Sequence, residues 1–65
     1  MNIILNGESH QTTAQNLHML LKELAIDDKR IIVLIDDEPI KKECFETTAL
    51  VEAMRLELLE FVGGG

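Results

Sequence analysis

The sequence predicts an α+β fold in two layers, a mixed sheet of about four to five strands with one main helix packed on one face. Three observations carry this. Apolar residues come in short, strand-length blocks near both ends and in the middle; one segment repeats at helical spacing; the connections between them are short. Size bounds the rest. Sixty-five residues make one small domain, and such a chain buries only about 60% of the surface its unfolded form exposes. With a single cysteine, Cys44, no internal disulfide can form. No Cys and His cluster stands at zinc-finger spacing. Packing alone must hold the fold, and 46% apolar residues make that feasible.

The elements come in this order. Asn2-Ile3-Ile4-Leu5-Asn6 is a short apolar run that stops at Asn6-Gly7, a pair that tolerates the positive φ of a type I′ hairpin turn. A more polar second strand should run from Glu8 to about Thr12. Leu17, Leu20, Leu21 and Leu24 then recur at i, i+3, i+4 and i+7, predicting a helix over 17–25 with Asn16 as its N-cap and Asp27-Asp28 opposing continuation. Arg30-Ile31-Ile32-Val33-Leu34-Ile35-Asp36 is β-branched, continuous and bounded by charge, so it reads as a strand. Asp36-Asp37-Glu38-Pro39 makes the next turn. Pro39 cannot donate to a central ladder, which leaves Ile40-Lys41-Lys42 as at most a short edge strand. From Thr48 to Glu60 the composition is helix-forming, yet Met54-Arg55-Leu56-Glu57-Leu58 alternates with the period of a half-buried strand. Periodicity alone does not decide between helix and strand there. If the segment is a strand, the order is hairpin, helix, strand, short strand, strand, and a two-layer β-grasp fits it.

Six basic against twelve acidic residues give a net charge of −6. That balance argues against gripping nucleic-acid phosphates or an anionic membrane. No stretch approaches the 18 or more apolar residues of a membrane span, and the N-terminus lacks the pattern of a signal peptide. A cytoplasmic location is the expectation. Of four glycines, three are the last three residues.

This element order followed by Gly63-Gly64-Gly65 resembles the ubiquitin-like sulfur carrier proteins of the ThiS/MoaD family. Ile3-Ile4-Leu5-Asn6-Gly7-Glu8 resembles the family's opening hairpin and Leu20-Leu21-Lys22-Glu23-Leu24 its helix. Arg30-Ile31-Ile32-Val33 with Asp36-Asp37-Glu38 and Ile40 resembles its third strand and turn. Leu56 through Gly65 resembles its last strand and tail. The resemblance covers nearly the whole chain, and the terminal glycines bear most of its weight. Two departures stand out. The family often has Asn-Gly where this chain has Asp36-Asp37, which is expected to alter turn geometry. It usually has Gly-Asp ahead of the last strand, where this chain has Ala53-Met54.

On this reading residues 1–62 are a β-grasp body and residues 63–65 a flexible C-terminal tail. Glycine has no Cβ, so consecutive glycines form the thinnest chain available, and three extended residues reach roughly 10 Å. Such a tail can thread a narrow tunnel, although glycines alone would equally suit a frayed terminus or a linker. An α-carboxyl, with a reference pKa of about 3.3–3.7, is ionised at neutral pH and can act as an oxygen nucleophile. The resemblance implies the rest. A ThiF-like adenylyltransferase, using ATP and magnesium, converts the Gly65 carboxylate into an acyl-adenylate. Sulfur from a cysteine desulfurase persulfide displaces AMP and leaves a Gly65 thiocarboxylate, from which thiazole synthase draws sulfur. The chain itself would be a co-substrate with no catalytic residues and no cofactor of its own. Alternatives are the sulfur-donating small subunit of molybdopterin synthase and a ubiquitin-like modifier or interaction module.

Strand alternation predicts a docking surface. With Ile3 and Leu5 facing the helix, Ile4 points to the open side of the sheet. Ile31, Val33, Ile35, Leu56 and Leu58 should pack inward while Ile32, Leu34 and Leu59 face out. If the first, last and third strands lie side by side, Ile4, Ile32, Leu34 and Leu59 form one exposed apolar patch, the usual mark of a protein partner. Phe61 and Val62, between that patch and the glycines, complete the expected partner-binding set. Cys44 is expected to be a small buried hydrophobe. His10, His18 and Cys44 lack metal-ligand spacing.

Overall fold

The computed structural model describes residues 1–62; the expected tail, Gly63, Gly64 and Gly65, lies outside the described residues. The order is β1 (Asn2–Leu5), β2 (Glu8–Gln11), α1 (Leu17–Glu23), β3 (Ile31–Ile35), β4 (Glu38–Ile40), a 3-10 turn (Lys42–Cys44) and β5 (Arg55–Glu60). All five strands join one sheet in the order β2-β1-β5-β3-β4. The last strand thus enters the middle, parallel to β1 and antiparallel to β3. This is the mixed β-grasp sheet that the alternation suggested.

Local chemistry explains the boundaries. Asn6 and Gly7 take φ 50° and 83°, the two positive values of a type I′ turn, whose twist matches that of the flanking strands. Asn16 is extended, and its side chain accepts the Met19 N–H at 2.8 Å, satisfying a donor the first turn leaves orphaned. Helix α1 is shorter than the predicted 17–25 span. Ala25 turns left-handed at φ 57°, and the N–H groups of Ala25 and Ile26 reach back to the Lys22 and Leu21 carbonyls at 3.1 and 2.9 Å. This is a Schellman closure built on alanine where glycine is usual. Asp27 instead caps the Lys29 N–H at 2.9 Å.

Two expectations near β4 are corrected. Asp36 and Asp37 take φ 49° and 67°, again type I′, so losing Asn-Gly does not change the turn class. The edge strand is Glu38–Ile40, not Ile40–Lys42, and Pro39 lies inside it opposite Leu34. The flanking pairs, Ile35 with Glu38 and Val33 with Ile40, alternate with the Pro39 position. At that position the missing N–H faces away from β3, so proline removes no rung. The chain leaves the sheet at Lys41.

The ambiguous last third resolves as strand. Helix propensity is a weak prior; a sheet with a vacancy between β1 and β3 offers β5 partners on both sides. The preceding loop is held by α1: the Leu17 and His18 N–H groups donate to the Thr48 and Phe45 carbonyls at 3.0 and 3.1 Å. Ala53 closes the approach to β5 at φ 65°, a left-handed conformation that glycine adopts at no steric cost.

The core lies between the sheet and α1. Ile3, Leu17, Leu20 and Val33 are fully buried, with Leu21, Ile31, Leu56 and Leu58 close behind. Leu5 and Ile35 pack on its margin, so the predicted inward set holds. Ala14, Phe45 and Leu50, from irregular segments, complete it.

Candidate functional site

The site expected from alternation is the sheet face opposite α1. Its register is explicit: Ile32 lies opposite Leu59, Leu34 opposite Glu57, and Ile4 opposite Arg55. Side chains paired this way share a face. Ile32 and Leu59 form a direct apolar pair, 47% and 48% exposed, and Ile4 and Leu34 are half-buried. The patch is not continuous, because Arg55 and Glu57 of β5 stand between its apolar members. Sequence reasoning placed the apolar residues and passed over these two. The period-two spacing of Arg55, Glu57 and Leu59 is the signal that locates them.

Ile4, Leu34 and Leu59 line one open depression of about 600 Å³, together with Asn6, Arg55 and Glu57. The two type I′ turns contribute to its rim through Gly7, Asp36 and Asp37. A surface of this composition suits a partner carrying apolar anchors with charges of both signs. Phe61 and Val62 come directly after β5 and are 45% and 90% exposed. The Phe61 N–H donates to the Arg30 carbonyl at 3.0 Å, extending the β3 side of the sheet one step past the strand.

Asn6 has a role that the turn signal did not reveal. Its Oδ1 accepts the Leu58 N–H at 2.8 Å and its Nδ2 donates to the Leu58 carbonyl at 3.2 Å. These bonds join residues 52 apart in the chain, so nothing local in the sequence signals them.

A second polar cluster ties β2 to the end of α1. The Glu23 carboxylate accepts the Thr12 hydroxyl at 2.7 Å and meets His10 Nε2 at 3.1 Å. The buried Thr12 hydroxyl also accepts the Ala14 N–H at 3.0 Å. The hydrogen bond from Thr12, then that from His10, holds the Glu23 carboxyl below the ordinary glutamate value. With its donor and acceptor both engaged, Thr12 is a structural link.

Cys44, expected to be buried, is exposed. It ends the 3-10 turn, and the neighbouring Phe45 takes the inward position. Among the described residues no group of three or more His, Cys, Asp or Glu could hold a metal ion, and no helix is long and apolar enough to cross a membrane.

A thiazole synthase from Paramagnetospirillum magneticum is 30% identical over 66 residues; the match takes in 100% of this chain but only 20% of that protein. The chain therefore spans about a fifth of the length of the curated relative it matches. The crystal structure of a thiamine biosynthesis protein (ThiS) from Geobacter metallireducens superposes with a TM-score of 0.84 at 28% identity, covering 100% of both chains. A solution structure of a thiamine biosynthesis protein from the same organism gives a TM-score of 0.81 at 28% identity, covering 100% of this chain and 88% of that one. The ThiS family model matches residues 3–65, from the first buried residue of β1 through Gly65, and the chain belongs to the ThiS family.

Proposed function

We propose that the chain is a sulfur carrier protein of thiamine (thiazole) biosynthesis, bearing sulfur as a thiocarboxylate on the carboxyl group of Gly65. The observation that carries this reading is the ThiS family match running through Gly65 on a β-grasp body. The thiamine biosynthesis protein of the same fold, and the thiazole synthase to which this chain is 30% identical over 66 residues, support it.

The chemistry asks little of the body and much of the carboxyl group. An ionised carboxylate oxygen attacks the α-phosphorus of ATP, pyrophosphate leaves, and the magnesium held by a ThiF-like adenylyltransferase offsets the phosphate charge. A persulfide sulfur supplied through a cysteine desulfurase displaces AMP, and a second thiol cleaves the sulfur–sulfur bond to release the thiocarboxylate. Thiazole synthase then takes the sulfur. The chain is a co-substrate in this sequence, and ATP and magnesium belong to its partner. Ile4, Ile32, Leu34, Leu59, Phe61 and Val62 form the docking face, and the cytoplasm is the compartment.

The test is to incubate the protein with a ThiF-like enzyme, ATP, magnesium and a persulfide donor, and to weigh the product. Exchange of one oxygen for one sulfur at Gly65 is the expected result. An added alanine after Gly65, or deletion of Gly65, should abolish adenylation. An adenylate on the extended chain would overturn the proposal. Isopeptide adducts to lysines in its own cells would instead show a modifier, and activation of molybdopterin synthase but not thiazole synthase would name the other pathway.

A further inference from the structure

We propose that Asn6 is a positioning residue for the carrier reaction: among the described residues its side chain is the last rung holding β5 on the β1 side, and it sets where the segment leading to Gly65 departs. This rests on the carrier reading above. Along β5, backbone groups face β1 at every second residue. The Met54 carbonyl accepts the Ile4 N–H at 2.8 Å, and the Leu56 carbonyl accepts the Asn6 N–H at 2.9 Å. The next groups facing that way are the N–H and carbonyl of Leu58. By then the backbone has turned away, with Asn6 at φ 50° and Gly7 at φ 83°.

The Asn6 side chain fills the gap. A primary amide presents one acceptor and one donor in a plane, as a peptide group does. Here it uses both on Leu58, at 2.8 and 3.2 Å, and continues the ladder without backbone. Leu58 is only 7% exposed, so water would replace these bonds poorly. Few residues meet both demands of the position. Aspartate has no donor, glutamine is a methylene longer, and glycine tolerates the turn without any amide. Asparagine tolerates the left-handed turn and supplies the rung.

The consequence falls on the residues after Leu58. Past that rung, β5 is held on the β3 side, ending with the Phe61 N–H on the Arg30 carbonyl at 3.0 Å. A carboxylate that must meet the α-phosphorus of ATP in a separate protein profits from a fixed point of departure, because misplacement lowers the fraction of reactive encounters. Removing the rung should therefore slow the chemical step more than it weakens docking.

The test uses the whole chain with two variants. Asn6→Gly keeps the turn and deletes both bonds; Asn6→Asp keeps the turn and the acceptor for the Leu58 N–H. Native-state amide exchange at Leu58, measured relative to Leu20, should quicken about tenfold in Asn6→Gly. With the carrier as varied substrate of a ThiF-like enzyme, kcat should fall about tenfold while KM stays within about twofold, and Asn6→Asp should lie between. Glu23→Gln, which loosens the distant β2–α1 link, should leave kcat and KM unchanged and so isolates stability from positioning. A wild-type kcat in Asn6→Gly, a loss confined to KM, or an equal kcat loss in Glu23→Gln would overturn the positioning role and leave the carrier reading standing. No adenylate on the wild-type protein would overturn the carrier reading, and the positioning role with it.

Discussion

Replacing Ala53 by glycine should stabilise the protein, against the usual direction for alanine-to-glycine changes. Ala53 sits at φ 65° in the turn that delivers the chain to β5, where a Cβ crowds the backbone by about 1–2 kcal/mol. Its side chain is exposed, so removing the methyl sacrifices no core packing. Its N–H bond to the Asn2 carbonyl, at 2.7 Å, is open to glycine as well. Against the relief stands the larger freedom of a glycine-containing unfolded chain, about 0.4–1 kcal/mol. The net gain is about 0.5–1 kcal/mol, which for a domain of this size raises Tm by about 2–8 °C. Thermal unfolding followed by circular dichroism measures it, and a urea titration with unchanged m confirms that stability, not the unfolded ensemble, has moved. Ala49→Gly is the control: Ala49 is also exposed but has no positive φ, so glycine there should lower Tm. If Ala53→Gly lowers Tm as Ala49→Gly does, the strain argument fails.

Two further outcomes come from the surface and the polar cluster. Leu34→Glu adds a charge to a half-buried site beside Glu57 on the open face; on the proposed carrier reading it should leave the far-ultraviolet spectrum intact and weaken binding to a ThiF-like adenylyltransferase at least tenfold by titration calorimetry, whereas unfolding would place Leu34 in the core. Glu23 is held below its ordinary value of 4.5, so its contribution is present above that pH and is lost as the pH falls through its lowered folded value. Tm measured from pH 6 down to pH 3 should therefore fall more steeply in the wild type than in Glu23→Gln, and parallel curves would remove the link.

What was legible in the sequence was whatever short-range chemistry decides. Asn6-Gly7 specified its turn, Asn16 its cap, and the alternation of Ile31 to Ile35 both faces of β3. The outward set of Ile4, Ile32, Leu34 and Leu59 was legible too, because register is inherited from alternation once the strand order is known. Long-range pairing decided the rest. Residues 54–58 carry helical propensity and strand periodicity together, and only the vacancy between β1 and β3 selects the strand. Phe45 and Leu50 enter the core from segments with no period to read. Pro39 bars only one of two alternating positions, so a rule that bars it from strands altogether misplaces β4. Asn6 is a turn former as its type suggests, yet its bonds to Leu58 depend on a strand that the sequence leaves undecided.

The central place of β5 has a mechanical consequence. A pull applied at the C-terminal end of β5 along the strand axis meets rungs to β1 and β3 that lie across it. They are loaded together, in shear, and cannot be peeled off one by one as an edge strand's can. Force spectroscopy should find the body far more yielding when pulled apart at the β2 edge than when loaded along β5.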